Sequence, residues 1–133
     1  MPDALKPSLY TVPEFGTPQL RGGRCACGHI FFPMQAYGCE RCGQAGDALT
    51  PMLLAGRGRL VASARVQMHA RKDREVPFTV LSVALDDGPV VRTLLGAGSE
   101  APLVAGQPMF ATLEEVPQAD GGAQLDLRFS AHP

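Results

Sequence analysis

The sequence predicts a mainly β protein. Three observations carry that prediction. Fifteen glycines and twelve prolines punctuate 133 residues. Apolar and polar residues alternate with period two in the clearest of several short runs. Turn-forming clusters separate those runs. A composition of 45% hydrophobic and 19% charged residues is that of a globular chain, and the length suits one ordinary domain or a small module joined to a modest one.

The elements follow in order. Residues 1–20 carry Pro2, Pro7, Pro13 and Pro18 among scattered apolar residues (Leu5, Leu9, Tyr10, Val12, Phe15). That is a poor autonomous helix and reads as an arm that packs on its own domain or on a partner. Residues 21–50 hold all four cysteines, with glycines on every side of them. Residues 51–133 read as strands. In 59–69, RLVASARVQMH, Leu60, Ala62, Ala64, Val66 and Met68 fall on one face, and Arg59, Ser63, Arg65, Gln67 and His69 on the other, with Val61 the one apolar exception. A charged hairpin tip, ARKDREVP, comes next. Then 78–85, FTVLSVAL, reads as a strand buried on both faces, ending in the turn Asp86-Asp87-Gly88-Pro89. Residues 90–95, 109–116 and 124–130 complete a set of five strands, with a short non-strand segment from Ser99 to Ala105. Five strands in this order match an OB-like barrel, a five-stranded Greek key; an SH3-like barrel or an open sandwich is the alternative.

The stretch GGRCACGHIFFPMQAYGCERCG carries the chemistry. Cys39-Glu40-Arg41-Cys42-Gly43 is a C-x2-C-G knuckle: two thiolates one tight turn apart share one tetrahedral ion, and the glycine lets backbone N–H groups face sulfur. Cys25-Ala26-Cys27-Gly28 is one residue shorter. Two knuckles on either side of an eleven-residue loop predict a rubredoxin-like zinc ribbon with Cys25, Cys27, Cys39 and Cys42 as ligands. His29 is the substitute for Cys25 if the short knuckle cannot close, and a metal-free dithiol is the third possibility. Four protein ligands leave no position for water, so the Zn2+ is structural and supplies folding energy that a segment of this size lacks. Within the loop, Ile30, Phe31, Phe32, Pro33, Met34 and Tyr37 form an apolar patch. It either packs the ribbon onto the barrel or docks another subunit.

Other function classes find little support. GxSxG, HExxH and P-loop motifs are absent, and His29, His69 and His132 are scattered. Gly96-Ala97-Gly98-Ser99-Glu100-Ala101 spells a dinucleotide fingerprint, but Pro102 and Gly106 break the helix it requires. No run approaches the roughly 18 apolar residues of a membrane span, and no secretory pattern opens the chain. A cytoplasmic location is therefore expected, where clustered cysteines are metal ligands or catalytic groups rather than disulfides. The net charge of −1 hides an asymmetry: residues 21–74 carry nine Arg/Lys against three acids, and residues 75–133 two against eight. Such a basic region could meet phosphate, so a single-stranded nucleic-acid-binding module is the alternative function. The absence of Trp and an aromatic content of 6% weigh against it.

With ribbon and barrel in this order, the chain resembles the zinc-ribbon/OB-fold accessory proteins of thiolases and related acyl-CoA enzymes. The likeness runs over most of the chain: Leu20-Arg21-Gly22-Gly23-Arg24-Cys25, Phe31-Phe32-Pro33, Cys39–Gly43, Gly56-Arg57-Gly58-Arg59-Leu60, Leu85-Asp86-Asp87-Gly88 and Ala105-Gly106-Gln107-Pro108-Met109. The C-x-C knuckle departs from the family's usual C-x2-C. It is similar to the subgroup whose thiolases cleave 2-benzoylsuccinyl-CoA to benzoyl-CoA and succinyl-CoA in anaerobic toluene degradation. The resemblance implies a thiolase-fold partner subunit that bears the catalytic Cys and His, with CoA or an acyl-CoA as ligand of the complex. This chain would then be a non-catalytic subunit. Thiolysis needs an activated thiolate and an acid/base, and neither is evident here. Arg57, Arg59 and Arg65 are candidates for CoA or substrate contact; exposed arginines without a ligand are the plainer alternative.

Overall fold

A computed structural model describes residues 2–67, 78–97 and 102–133. Among the described residues, eight strands and a single 3-10 turn (Gly46–Ala48) make up the regular structure. Strands β1 (Leu20–Cys25), β2 (Ile30–Phe31) and β3 (Leu49–Leu54) form an antiparallel sheet in the order β2-β1-β3. Strands β4 (Arg57–Val66), β5 (Phe78–Leu85), β6 (Val90–Leu94), β7 (Pro108–Pro117) and β8 (Ala123–Ser130) form the second sheet in the order β6-β5-β4-β7-β8. A parallel bridge from Leu95 to Phe129, with Gly96 N–H donating to the Phe129 carbonyl at 2.8 Å, nearly closes it into a barrel. The first barrel strand pairs with both the second and the fourth, and the end of the third meets the fifth in parallel. That is the OB arrangement expected from the strand order. The five strand positions read from the sequence lie within two residues of those observed, apart from the end of the first.

The facing of β4 differs from the simple alternation. Leu60 stands opposite Val83, but Ala62 stands opposite Ser82, so Val61 is an extra residue in the ladder. This bulge reverses every side chain after it. Ser63 and Arg65 share the face of Leu81 and Thr79, and Ala62, Ala64 and Val66 share the face of Ser82, Val80 and Phe78. Ala62 and Ala64 are exposed rather than in the core. Strand β5 has one fully buried face, Leu81, Val83 and Leu85, and a half-buried one. The expected positions of Met68, His69 and the charged hairpin tip lie outside the described residues, as does most of the dinucleotide-like loop.

The main core is built from Leu60, Leu81, Val83, Leu85, Val91, Met109, Ala111 and Phe129 of the barrel, joined by Leu20 and Leu54 of the ribbon strands. The ribbon is thus rooted in the barrel core. Its β1 passes two glycines through a tight space. A methyl group on Gly22 would lie 2.5 Å from the Phe31 carbonyl oxygen, and one on Gly23 would collide with the Phe31 ring. Between the sheets, Asp87 accepts the Ala55 N–H at 2.8 Å, and Ala111 N–H donates to the Gly56 carbonyl at 2.7 Å. The Asp86-Asp87-Gly88-Pro89 turn therefore clasps the linker as well as joining β5 to β6.

The arm packs on its own barrel. Leu5 and Leu125 exchange main-chain bonds with their neighbours on the two segments (Leu5 N–H to Leu125 O, Leu125 N–H to Asp3 O, both 2.8 Å). Tyr10 is buried and its hydroxyl donates to the Leu125 carbonyl at 2.6 Å. Burial is the main influence raising the Tyr10 pKa above 10, as suits a phenol that donates as a neutral group. No helix among the described residues is long and apolar enough to cross a membrane.

Candidate metal centre

The two knuckles have a common plan. Cys25 ends β1, and its N–H donates to the His29 carbonyl at 2.8 Å while Gly28 N–H returns to the Cys25 carbonyl at 2.8 Å. Cys39 N–H donates to the Gln44 carbonyl at 2.8 Å, and Gly43 N–H returns to the Cys39 carbonyl at 2.9 Å. Gly28 (φ 97°) and Gly43 (φ 81°) turn the chain through the left-handed region that glycine allows. The short first knuckle closes the same loop with one residue fewer.

These turns bring the four Sγ atoms within 4.8 Å of one another. Cys25 lies 3.4 Å from Cys42 and Cys27 3.8 Å from Cys39. A tetrahedral ion with metal–sulfur bonds of about 2.3 Å requires sulfur–sulfur edges of about 3.8 Å, so the cluster is of the size a zinc ion needs. Four thiols with no other donor in the set suit Zn2+. Such an ion would be held by Cys25, Cys27, Cys39 and Cys42, and its role would be to cross-link the knuckles. His29 does not compete for it. Its Nε2 lies 2.7 Å from Glu40 Oε1, and its ring stacks on Phe31 at a centroid distance of 6.3 Å. Cys25, not His29, stands in the sulfur set.

Electrostatics differ between the sulfurs. The Gln44 backbone N–H draws the Cys42 thiol down to about 6, against the cost of burial. Burial pushes Cys39 upward, but the backbone N–H groups of Cys42 and Arg41 outweigh it and leave its pKa lowered. Cys27 N–H pulls Cys25 down, yet burial and the thiols of Cys42, Cys27 and Cys39 prevail and raise it to about 12. Arg41 N–H lies 3.4 Å from Cys39 Sγ, and Gln44 Nε2 lies 3.4 Å from Cys42 Sγ. Neither Glu40 nor Gln44 stood out in the sequence. Gln44 could have been found from its place two residues past a ligand, where N–H groups converge on sulfur.

The remaining candidates scatter. Phe31 is buried beside Cys25, Cys39 and Leu49, with Met34 against them. Ile30 and Phe32 pack against the barrel core. Pro33 is exposed, and Tyr37 is 87% exposed. Arg57 pairs with Asp86 at 2.9 Å, and Arg59 Nη1 donates to the Gly106 carbonyl at 3.0 Å. The bulge puts Arg65 on the other face of β4, so the three arginines form no single patch. A cleft of about 520 Å³ separates ribbon from barrel, with His29, Glu40 and Arg41 on one wall and Asp87 and Val90 on the other.

Neither a protein-family model nor a curated protein matches the sequence. Among solved structures, a chain of the Ltp2-ChsH2(DUF35) aldolase is similar to this one, with a TM-score of 0.60 and 22% identity over 83% of this chain and 84% of that chain. At that identity the likeness is one of fold: ribbon and barrel are combined here as in a chain of that aldolase.

Proposed function

We propose that this chain is a non-catalytic, zinc-binding subunit of a heteromeric thiolase-type complex acting on an acyl-CoA. The observation that carries the proposal is the convergence of all four cysteines into one closed cluster. With the metal in place no thiol remains for acyl transfer, and among the described residues no histidine ring is hydrogen-bonded to a hydroxyl or thiol. A fold shared with a chain of an enzyme named for Ltp2 and ChsH2(DUF35) together supports a subunit role. The motif resemblance, with its C-x-C knuckle, favours 2-benzoylsuccinyl-CoA as the acyl substrate.

In this proposal the partner is a thiolase-fold polypeptide that supplies the Cys and His. The exposed remainder of the loop, Pro33 and Tyr37, contacts it, while Ile30, Phe31, Phe32 and Met34 hold that loop in place from behind. Arg65, which has no ion-pair partner among the described residues, is the arginine most available to a CoA phosphate or a substrate carboxylate. Arg57 and Arg59 are already engaged within the barrel.

Co-expression with a thiolase-like polypeptide tests the proposal. The two chains are expected to co-purify, and CoA-dependent cleavage of 2-benzoylsuccinyl-CoA is expected only when both are present. Full activity of the partner alone, or turnover by this chain alone, overturns it.

A further inference from the structure

Arm, ribbon and barrel meet around a cavity of about 290 Å³. It lies where the barrel does not close. Among the described residues, β6 pairs with β5 alone and reaches β8 only at its end, through the Leu95–Phe129 bridge and the Gly96–Phe129 bond. Before that point the cavity lies between them, lined by residues 91–94 of β6 and by Asp126, Leu127 and Phe129 of β8. The arm adds Lys6, Leu9 and Tyr10, and the ribbon adds Leu20 and Phe32. The walls are apolar: Leu20, Val91 and Phe129 belong to the main core, and Phe32 and Leu127 pack against it. The charged part of the lining is mostly basic. Lys6 and Arg92 are exposed, and neither has an ion-pair partner among the described residues. Asp126 is the acid of the lining, and its carboxylate is taken by Arg128 Nε at 2.8 Å. The Tyr10 hydroxyl is engaged as well, accepting Lys6 N–H at 3.1 Å and donating to the Leu125 carbonyl at 2.6 Å. Together with the Leu9 N–H bond to the Lys6 carbonyl at 3.0 Å, it holds the turn that carries Lys6. Main-chain groups complete the site. Leu85 N–H bonds the Pro89 carbonyl, and Leu95 N–H bonds the Thr79 carbonyl. The odd-numbered residues from 89 to 95 therefore bond β5, and the even-numbered ones turn the other way. Gly96 N–H, which reaches Phe129, continues that parity. The peptide groups of Arg92 and Leu94 thus face the gap.

We propose that this cavity binds a small monocarboxylate with an apolar body, the carboxylate between Lys6 and Arg92 and the body against Phe32, Leu127 and Phe129. An apolar hollow with a few convergent polar groups, set where parts of a molecule meet, is the usual form of a small-ligand site. Its size limits the body: at about 30 Å³ for each water-sized group, it takes roughly ten non-hydrogen atoms. Burial of that body and charge-assisted contacts to the carboxylate supply the affinity. Coenzyme A is several times too large for it. The site is therefore distinct from the Arg65 contact proposed above, and it stands whether or not the partner is a thiolase. Because the ligand touches all three parts of the chain, its binding also fastens the arm to the barrel.

The test titrates the full chain with phenylacetate, followed by amide chemical shifts in nitrogen-15 NMR. Acetate, which lacks the apolar body, and 2-phenylethanol, which lacks the charge, are the controls. Phenylacetate is expected to give saturable shifts at Lys6, Leu9, Tyr10, residues 91–95 and Leu127, with residues 39–44 of the ribbon tip unmoved. Both controls should bind roughly tenfold more weakly or worse, the loss of one charge-assisted contact or of the buried body. Lys6→Gln and Arg92→Gln alter exposed side chains, so their spectra without ligand should match the parent's. Each should weaken phenylacetate by roughly fivefold to tenfold. Equal binding of 2-phenylethanol, unchanged affinity in either variant, shifts confined to other surfaces, or no shifts at millimolar phenylacetate would overturn the proposal.

Discussion

The ribbon and the barrel are stabilised by different forces. Ten buried residues make up the main core, none of them a cysteine. The ribbon's own cluster has four, Cys25, Phe31, Cys39 and Leu49, and two of these are metal-ligand candidates. Removing apolar surface from water suffices for the first. It does not suffice for the second, where an ion held by the four sulfurs would supply the missing cross-link. The lesson is that a small apolar cluster can be adequate if the chain is tied at both ends: by sulfur at the tip, and by Leu20 and Leu54 at the root.

Cys39→Ser presses hardest on that contrast. Loss of a structural zinc removes on the order of 10 kcal/mol of folding free energy from the module that binds it. Hydrogen exchange should show residues 25–48 unprotected while β5 and β8 keep their protection. A barrel that melts together with the ribbon would mean that the two are one cooperative unit. Leu81→Ala is the complementary change. Leu81 is fully buried, and its truncation should cost about 3 kcal/mol in chemical denaturation. Zinc content should stay at one per chain, because no sulfur ligand touches this core.

The sequence disclosed these two regions unequally. Barrel strands were legible because alternation and turn residues mark them locally. Val61 was visible as an apolar residue on the wrong face, but that it starts a bulge depends on the partner strand, which alternation does not report. Strand β1 was hidden because Gly22 and Gly23 have low strand preference; only their close approach to Phe31 and Leu54 explains them. The sulfur cluster was legible from spacing. What His29 does was not, since its choice between sulfur and Glu40 is settled by the direction its ring takes from Phe31.

Two smaller changes refine the contrast. Tyr10→Phe removes the hydroxyl that ties the arm to β8. Leu125 O retains its bond from Leu5 N–H, so the expected loss is about 1 kcal/mol, read as a lowered denaturation midpoint with unchanged zinc. His29→Ala should do least. The ion pair it breaks is open to solvent on the Glu40 side, and such pairs contribute about 0–1 kcal/mol. Zinc should remain at one per chain with tetrathiolate spectroscopy on cobalt substitution. A change in the cobalt spectrum would make His29 a ligand after all.

The bond between Tyr10 and Leu125 joins residues 115 positions apart, and this has a consequence for synthesis. At roughly 5–20 residues per second, the arm is made about 6–23 seconds before its anchor exists. During that interval the phenol has no carbonyl to bond, and β6 has no parallel neighbour at Leu95. The ribbon cysteines, all made by residue 42, can take up their ion far earlier. Nascent chains of this protein are thus expected to carry the metal-binding module ahead of an open sheet, with closure of the barrel and capture of the arm falling together once β8 has been made.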